Sequence, residues 1–317
     1  MVKLVTVREE NLRFANENHT GCVCVFAGAT SGIGACTLER MITMISSSTF
    51  YVIGRSEQRF QVQHAKLQKL NSSNKIVFIQ AEFSLIADID SVSQRIVSVE
   101  TKVDYLFMSP GLYPLNGAEY SREGLEVCFA VSYYSRIRLI SNLLPVLRQS
   151  PNPRILSVLS GGREKAMLEN DIGLRNSWSS ASVINHTTTM TSLTFDHLAK
   201  YDTTITFLHS FPGLVKTNIF AAQTAPKSSG LLWKISLALL RMVFAFLMAV
   251  LGISPEESGE KQAFILTTKK FGPGVSLVSE KCEESAVPSA LLKYHDGGWA
   301  EKIWEHTLKV LEQVEVQ

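Results

Sequence analysis

Val23-Cys-Val-Phe-Ala27-Gly28-Ala-Thr-Ser-Gly32-Ile-Gly34 is the most informative stretch of the 317-residue sequence for predicting the fold. Its first five residues form an unbroken apolar run, which is typical of a strand covered on both faces. A glycine-rich turn follows this run directly, and a helical pattern follows the turn. That pattern places apolar residues at helical spacing, at Leu38, Met41, Ile42 and Ile45. The stretch therefore predicts a strand, a tight turn and a helix in immediate succession.

The glycine turn has the features of a phosphate-binding loop. Gly28 permits the tight turn, Gly32 lets the backbone approach a pyrophosphate, and Gly34 lets the helix pack closely on the strand. The helix N-terminus adds free N–H groups and a partial positive charge, both of which attract phosphates. We therefore expect a dinucleotide to be bound at this loop by Gly28, Thr30, Ser31, Gly32, Ile33 and Gly34.

Arg55 ends the second predicted strand, in Tyr51-Val-Ile-Gly-Arg55. A site that prefers NAD usually has an acidic residue here, about 20 residues after the glycine loop, which binds the ribose 2′-hydroxyl. An arginine instead suits the 2′-phosphate of NADP. The sequence thus favours NADP(H) over NAD(H), and the alternative interpretation is a solvated arginine at a strand end.

Short apolar runs alternate with helical patterns along most of the chain, which predicts a parallel sheet covered by helices. The seven runs are residues 23–27, 50–53, 76–79, 105–108, 155–159, 205–208 and 275–278. We expect an α/β protein with a single doubly wound Rossmann fold, about seven parallel strands and helices on both faces. Residues 1–20 are expected to form an N-terminal extension, and residues 21–317 the domain, with an apolar insertion at about 223–253.

The composition narrows the range of partners. Lys and Arg total 31 against 29 Asp and Glu, a formal net charge of +2, without basic clusters. This balance argues against nucleic acid as a partner. The N-terminus has alternating charges and no apolar core of signal-peptide length, and the five cysteines lack metal-ligand spacing. We expect a reduced, metal-free cytoplasmic protein.

One segment departs from the alternating pattern. Residues 242–253 read Met-Val-Phe-Ala-Phe-Leu-Met-Ala-Val-Leu-Gly-Ile, and residues 231–240 before them are apolar apart from Lys234 and Ser236. The run is too short to predict a transmembrane span, and Arg241 interrupts any longer one. Two interpretations remain: a helix that covers the substrate pocket or forms a subunit interface, and a weak contact with a membrane surface.

The spacing Gly-x-x-x-Gly-x-Gly at residues 28–34 resembles that of the short-chain dehydrogenase/reductase family, and the resemblance runs from about residue 21 to 267. Glu82-Phe83-Ser84 resembles the family's Asp-Leu-Ser segment at the adenine ring. Met-Ser109-Pro-Gly111 stands where the family has Asn-Asn-Ala-Gly. Pro212-Gly213-Leu-Val215-Lys-Thr217 matches the loop that holds the nicotinamide carboxamide. The resemblance implies cofactor contacts from Glu82, Phe83, Ser109, Gly111, Pro212, Gly213, Val215 and Thr217.

The departures from the family lie at its catalytic positions. A standard member uses a Tyr and, four residues later, a Lys that lowers the pKa of that Tyr. Alignment places Ile184 at the Tyr position and Thr188 at the Lys position, and no Tyr in the chain is followed by Lys four residues later. Ser132 stands at the position of the family's helix-borne Asn. Ser160 matches the catalytic serine, so one of four catalytic positions is kept.

Replacement acid–base groups must come from the same wall of the pocket. His186 lies two positions past the lost Tyr, and a histidine can act as acid or base near neutral pH. Tyr133 adjoins the lost Asn position. Together with Ser160, these are the candidate catalytic residues. For His186 and Tyr133 alike, a structural role in the core is the alternative.

A narrower resemblance is to a divergent group of fungal relatives, many of them thought to be tailoring proteins of secondary metabolism. It rests on Thr30-Ser-Gly-Ile-Gly, Tyr133-Tyr-Ser-Arg136 and His186-Thr-Thr-Thr-Met190. It implies NADP(H)-dependent oxidoreduction of a bulky lipophilic metabolite with a non-standard acid–base group. The lost pair leaves two alternatives: a non-redox isomerase, dehydratase or cyclase, and a catalytically silent NADP(H)-binding protein.

Self-association is also implied by the family resemblance. Family members are commonly dimers or tetramers through two long helices, here near residues 124–147 and 182–200. A homo-oligomer is therefore expected.

Overall fold

A computed structural model describes residues 2–217, 219 and 230–315 of the chain. Its main sheet has seven parallel strands, in agreement with the alternating sequence pattern. They are β1 (Val23–Ala27), β2 (Thr49–Gly54), β3 (Lys75–Gln80), β4 (Tyr105–Met108), β5 (Arg154–Val158), β6 (Thr206–Ser210) and β7 (Gly274–Val278). The order across the sheet is β3-β2-β1-β4-β5-β6-β7. The chain thus runs outward from β1 in both directions, and the predicted doubly wound Rossmann fold is confirmed.

Helices connect the strands and cover both faces of the sheet. In chain order they are α1 (Leu4–Asn16), α2 (Gly32–Met44), α3 (Glu57–Leu70), α4 (Ile86–Val97), α5 (127–147), α6 (Ser180–Tyr201), α7 (Leu231–Leu251), α8 (Pro255–Thr267), α9 (Ser289–Asp296) and α10 (Trp299–Glu315). Within α5, the turn Ala130–Tyr134 is π-helical. Such turns are frequent at functional sites.

The sheet separates two hydrophobic cores. One core packs α1, α2, α3 and α8 against the sheet, and the other packs α4, α5, α6, α9 and α10 against the opposite face. The helical stripe predicted after the glycine loop belongs to the first core, where Leu38, Met41 and Ile42 are fully buried. Because both faces are covered, the strands are apolar on both sides, as the sequence indicated.

The N-terminal extension packs onto the domain. Val7 of α1 is fully buried, and the Asn11 side chain donates hydrogen bonds of 3.0 and 2.8 Å to the backbone and side-chain oxygens of Glu260 on α8. A short strand, His19–Thr20, then pairs with Ile45–Ser46 at the end of α2. Residues 2–20 therefore extend the first helical layer.

The C-terminal helix α10 lies across α5 and α6. The Tyr133 hydroxyl of α5 lies 2.5 Å from the Thr307 hydroxyl, and the His197 ring of α6 stacks on Trp304 at 4.9 Å between centroids. Self-association through α5 and α6 stays a prediction. Part of the surface of these two helices is already covered by α10 of the same chain.

The apolar segment near the end of the chain forms helix α7. Of the insertion expected at about 223–253, residues 223–229 lie outside the described part. Helices in the described ranges do not reach the length and apolarity that crossing a bilayer would require.

Candidate functional site

The glycine loop follows β1 at the carboxyl edge of the sheet, next to the end of β4. Gly28 has a φ of +74°, and a Cβ atom there would lie 2.5 Å from the Pro110 backbone nitrogen. A Cβ on Gly34 would lie 2.4 Å from the Gly28 carbonyl oxygen and 2.6 Å from the Ser109 hydroxyl. Side chains are therefore excluded at both positions, because backbone from two neighbouring segments fills the space. The glycine roles inferred from the sequence agree with this geometry.

The start of α2 has no side-chain cap. Ser31 occupies the N-cap position, but its side chain makes no capping hydrogen bond. Gly32 has a φ of +57°, and its nearest neighbour in the Cβ direction is the Thr217 methyl group at 3.2 Å. The first N–H groups of a helix have no partners within the helix. A backbone cradle with a partial positive charge therefore faces the loop that carries Thr217.

The predicted nicotinamide loop follows β6 and turns back toward the glycine loop. Gly213 has a φ of +75°, and Val215 is buried. The Lys216 N–H donates to the Ile253 carbonyl at 3.0 Å, and the Ile253 N–H donates to the Leu214 carbonyl at 2.9 Å. Two backbone bonds thus hold the loop to the segment that follows α7. Pro212 is half-buried at the start of this loop.

Arg55 is exposed just past the end of β2. The neighbouring Ser56 caps α3, since its hydroxyl accepts a 3.3 Å hydrogen bond from the Arg59 N–H. The Thr30 methyl group lies 2.7 Å from where a Cβ on Gly54 would stand, so the glycine loop contacts the end of β2. This brings Thr30, the α3 N-terminus and the segment that carries Arg55 close together.

The segments after β3 and β4 complete the cofactor edge. The Glu82 N–H donates to an Asp88 carboxylate oxygen at 2.7 Å, and the Phe83 side chain is packed in the core. The Phe83 ring is therefore not exposed at this edge, and a nucleotide contact of Phe83 stays a prediction. The Ser109 hydroxyl donates to the Gly28 carbonyl at 3.1 Å and ties the end of β4 to the glycine loop, while Gly111 is exposed beyond it.

The three catalytic candidates occupy different environments. Ser160 is half-buried just past the end of β5, at the same edge as the cofactor loops. The His186 Nε2 accepts a 2.8 Å hydrogen bond from the Leu168 N–H, and its Nδ1 lies 3.0 Å from the Ile172 carbonyl. Burial lowers the pKa of His186. With both ring nitrogens bound to backbone, the contacts of His186 favour the structural alternative.

Tyr133 is also held inside the protein. Its side chain is fully buried, and its hydroxyl lies 2.7 Å from the Thr194 hydroxyl and 2.5 Å from that of Thr307. Burial raises the pKa of Tyr133 well above that of a free phenol. A catalytic role for Tyr133 or His186 stays a prediction that these contacts do not favour.

The positions of the lost pair lie on α6 as aligned. Ile184 is half-buried, and Thr188, one turn later, is buried. Neither side chain can supply the cation that a lysine would place there.

A polar network behind Ser160 was not foreseen from the sequence. The Ser160 N–H donates to the His209 Nε2 at 3.4 Å, and the His209 Nδ1 lies 2.8 Å from the Ser192 hydroxyl. Ser192 in turn donates to the Glu164 carboxylate at 2.7 Å. Burial raises the pKa of Glu164, but hydrogen bonds from His209 and Ser192 outweigh it, so the net pKa is lowered. A buried carboxylate therefore orients the histidine that holds the end of β5.

Gly161 fits this network closely. A Cβ at that position would lie 2.0 Å from the His209 carbonyl oxygen. The signal that could have revealed the network is His209 itself, a lone histidine in an apolar strand, whose partners come from distant segments.

Arg136 is a second feature that sequence reasoning passed over. It is fully buried on α5, and its guanidinium donates to the Val158 carbonyl at 3.0 Å, the Ser157 hydroxyl at 2.6 Å and the Pro110 carbonyl. Burial lowers the pKa of Arg136 to about 9, so the group is still a cation at neutral pH. Within the described ranges, the oxygens that accept hydrogen bonds from Arg136 belong to backbone carbonyls and one hydroxyl. A positive charge thus lies beneath the carboxyl ends of β4 and β5.

Comparison with known proteins agrees with this geometry. An oxidoreductase of Emericella nidulans is 34% identical over 334 aligned residues, which cover 99% of each chain. The oxidoreductase lepF of Aspergillus flavus is 31% identical and covers 99% of this chain and 98% of its own. These relatives match the chain from end to end.

A solved structure with the same fold is the L-sorbose reductase from Gluconobacter frateurii, complexed with NADPH and L-sorbose. Its TM-score is 0.57 at 18% identity, and the match covers 85% of this chain and 99% of that chain. The sequence model described as short chain dehydrogenase matches residues 22–227. With its glycine loop, sheet order and relatives in agreement, the chain belongs to the short chain dehydrogenase family and is an oxidoreductase-like member of it.

Proposed function

We propose that the protein is an NADP(H)-dependent oxidoreductase that acts on a bulky lipophilic metabolite in fungal secondary metabolism. The observation that carries the proposal is that the two loops lie close together: a Cβ atom added to Gly32 would lie 3.2 Å from the Thr217 methyl group. A dinucleotide needs its phosphates and its nicotinamide held at adjoining places, and these two loops adjoin. A cofactor held by both loops would lie beside a wall that lacks the family's proton donor.

Three features support NADP(H) as the cofactor. Arg55 and the α3 N-terminus would hold the 2′-phosphate, since a guanidinium and a helix N-terminus both favour an anion. No acidic residue stands at position 55 to bind a ribose hydroxyl instead. The L-sorbose reductase with this fold also binds NADPH. When bound, the cofactor would supply or accept a hydride at the nicotinamide.

Ser160 would bind the substrate carbonyl or hydroxyl at the edge of β5. The His209–Ser192–Glu164 network fixes the backbone at Ser160, so its hydroxyl is presented from a rigid strand end. Arg136 would supply the fixed positive charge that the missing lysine would have provided. A buried cation favours the negative charge that develops on a substrate oxygen more strongly than an exposed one does.

A lipophilic substrate is supported by the apolar residues around the nicotinamide loop. Leu214 is 46% exposed beside the loop, and Tyr113 is 40% exposed on the segment after β4. Ile184 replaces a polar residue on α6. Substrate pockets are lined mainly by such side chains.

A non-redox reaction is the second candidate. It is favoured by the pair Ile184 and Thr188, because neither residue offers a tuned proton donor beside Ser160. Losing general acid catalysis costs a factor of about 10² to 10⁴ in rate. An isomerisation, dehydration or cyclisation guided by pocket shape and Ser160 would avoid that cost.

Isotope transfer separates the two candidates. NADPH deuterated at the transferable C4 position should deliver deuterium to the product, with one nucleotide oxidised per turnover. Mass spectrometry of the product and absorbance of the nicotinamide measure these two outcomes. Product formation without deuterium and without nucleotide oxidation would show that the reaction is not a redox one.

The location of the protein is part of the same proposal. All five cysteines are free thiols, and burial raises the pKa of Cys128 and of Cys282 to about 12. Unpaired cysteines suit a reducing compartment, so we propose a cytoplasmic protein.

A further inference from the structure

Helix α7 turns its apolar side outward. Leu232, Phe246 and Val250 are 83%, 68% and 63% exposed. On the opposite side Leu237 is buried, and Arg241 is half-buried. A surface helix of a water-soluble domain normally has the reverse arrangement, with its apolar stripe against the core. Contiguous exposed apolar surface of this kind marks an interaction site.

The exposed apolar face is broad. Its large side chains are Leu232, Trp233, Ile235, Leu239, Leu240, Met242, Val243, Phe246, Leu247, Val250 and Leu251. At about 100° per residue they cover roughly half of the helix circumference along its whole length. One partner helix buries a narrower seam, so a second copy of α7 would leave the flanks of this face in water. A continuous apolar medium covers a half-cylinder completely.

The charge around α7 is entirely positive in sequence. Residues 203–255 contain no Asp or Glu, and they include Lys216, Lys227, Lys234 and Arg241. Basic residues next to an apolar helix in the sequence strengthen its binding to anionic headgroups. An anionic lipid surface offers both acyl chains for the apolar face and negative headgroups for the basic residues. A protein partner would need an apolar surface and an acidic one side by side, so we favour the lipid surface.

We propose that α7 docks the protein on an anionic lipid surface, with the helix in the plane of the interface and its outer face among the acyl chains. The helix does not span the bilayer, in keeping with its interrupted apolar run. Its C-terminal end continues into Ile253, which is hydrogen-bonded to the nicotinamide loop at Leu214 and Lys216. Docking would therefore bring the lipid phase to the nicotinamide end of the site. The exposed face of α7 is the same whichever reaction the site carries out.

Vesicle binding tests the proposal. The full chain is sedimented with phosphatidylcholine vesicles that contain about one third phosphatidylglycerol, and the bound fraction is measured against lipid concentration. Leu239→Glu with Phe246→Glu should weaken binding at least tenfold, because it places two carboxylates in the outer face. The matched control is Val62→Glu with Val99→Glu, which adds the same charge at two exposed valines outside α7 (82% and 64% exposed). This control variant should bind vesicles with an affinity within twofold of that of the unmodified chain.

Tryptophan quenching gives a second readout. Trp233 is 41% exposed on α7, so vesicles of brominated lipid should quench its fluorescence, and Trp233→Phe should abolish that quenching. The proposal is overturned if the unmodified chain binds no vesicles, or if the α7 and control variants bind equally. It is also overturned if the α7 variant converts a lipid-free dimer to a monomer in ultracentrifugation while vesicle binding is unchanged, since α7 would then be a contact between copies.

Discussion

The cofactor edge and the catalytic wall of this protein lie side by side, yet they have diverged to different extents. At the cofactor edge, Gly28, Gly32 and Gly34 all occupy positions where a side chain would be strained or would collide. On the catalytic wall, Ile184 and Thr188 stand where the family has its acid–base pair. Phosphate binding depends on backbone geometry, which only glycine permits at these points. Proton transfer depends on individual side chains, and those can be exchanged without altering the fold.

Helix α6 shows how the exchange is accommodated. Its buried side carries hydroxyl side chains, and several bond to the carbonyl one turn earlier: Thr187 to Val183 at 2.8 Å and Thr191 to Thr187 at 2.7 Å. Hydroxyls that satisfy themselves on their own helix need no partner in the pocket. The turn of α6 from Ile184 to Thr188 thus has no Asp, Glu, Lys or Arg, whereas the buried cation of Arg136 lies beneath the ends of β4 and β5.

The largest expected effect is at the cofactor edge. Gly32→Val should abolish binding of NADPH and NADH, because a β-branched residue at a φ of +57° is strained and its side chain would fill the phosphate cradle near Thr217. Calorimetric titration measures the loss. Gly230→Val is the control, since a Cβ there has no neighbour within 4 Å and its φ is −63°. Nucleotide binding retained by a folded Gly32→Val protein would contradict the assignment of the loop.

Replacing Arg136 is expected to have the second-largest effect. Arg136→Met should lower the free energy of unfolding by about 2–5 kcal/mol, because several buried carbonyls lose their donor. Arg154→Met is a matched control, since Arg154 is also buried and donates to the Leu266, Thr268 and Phe271 carbonyls. Both variants should be destabilised in chemical denaturation.

Activity then separates the two arginines. Once rates are corrected for the folded fraction, Arg136→Met alone should lower kcat at least tenfold, with NADPH affinity unchanged. Equal kcat values in the two variants would mean that Arg136 has a structural role and that its positive charge does not stabilise the transition state.

The sequence carried enough information for the fold and for the turn at the glycine loop, since both depend on local patterns. All seven predicted strands are present; the strands at 23–27 and 105–108 have the predicted bounds, and the ends of the others differ from the prediction by at most two residues. The catalytic wall depends instead on contacts between distant segments. Glu164 and His209 meet through Ser192, and Arg136 reaches the ends of β4 and β5, so none of these pairings has a fixed spacing. The position of His186 two residues past the lost Tyr suggests a catalytic role, but the hydrogen bonds between both ring nitrogens and the backbone favour a structural one.

The smallest expected effect concerns the choice between two nucleotides that share the same edge. Arg55→Asp should weaken NADPH binding at least about tenfold, roughly 1.4 kcal/mol, through loss of a charge-assisted bond and repulsion of the 2′-phosphate. NADH has no 2′-phosphate, so its affinity should change by less than threefold. The matched control is Arg8→Asp, an exposed arginine on α1 that makes the same change in charge. If calorimetry shows equal losses for both variants, the effect is a diffuse one of net charge, and Arg55 does not read the phosphate. A loss confined to Arg55→Asp and to NADPH would locate the discrimination at the end of β2, while the glycine loop supplies the affinity common to both nucleotides.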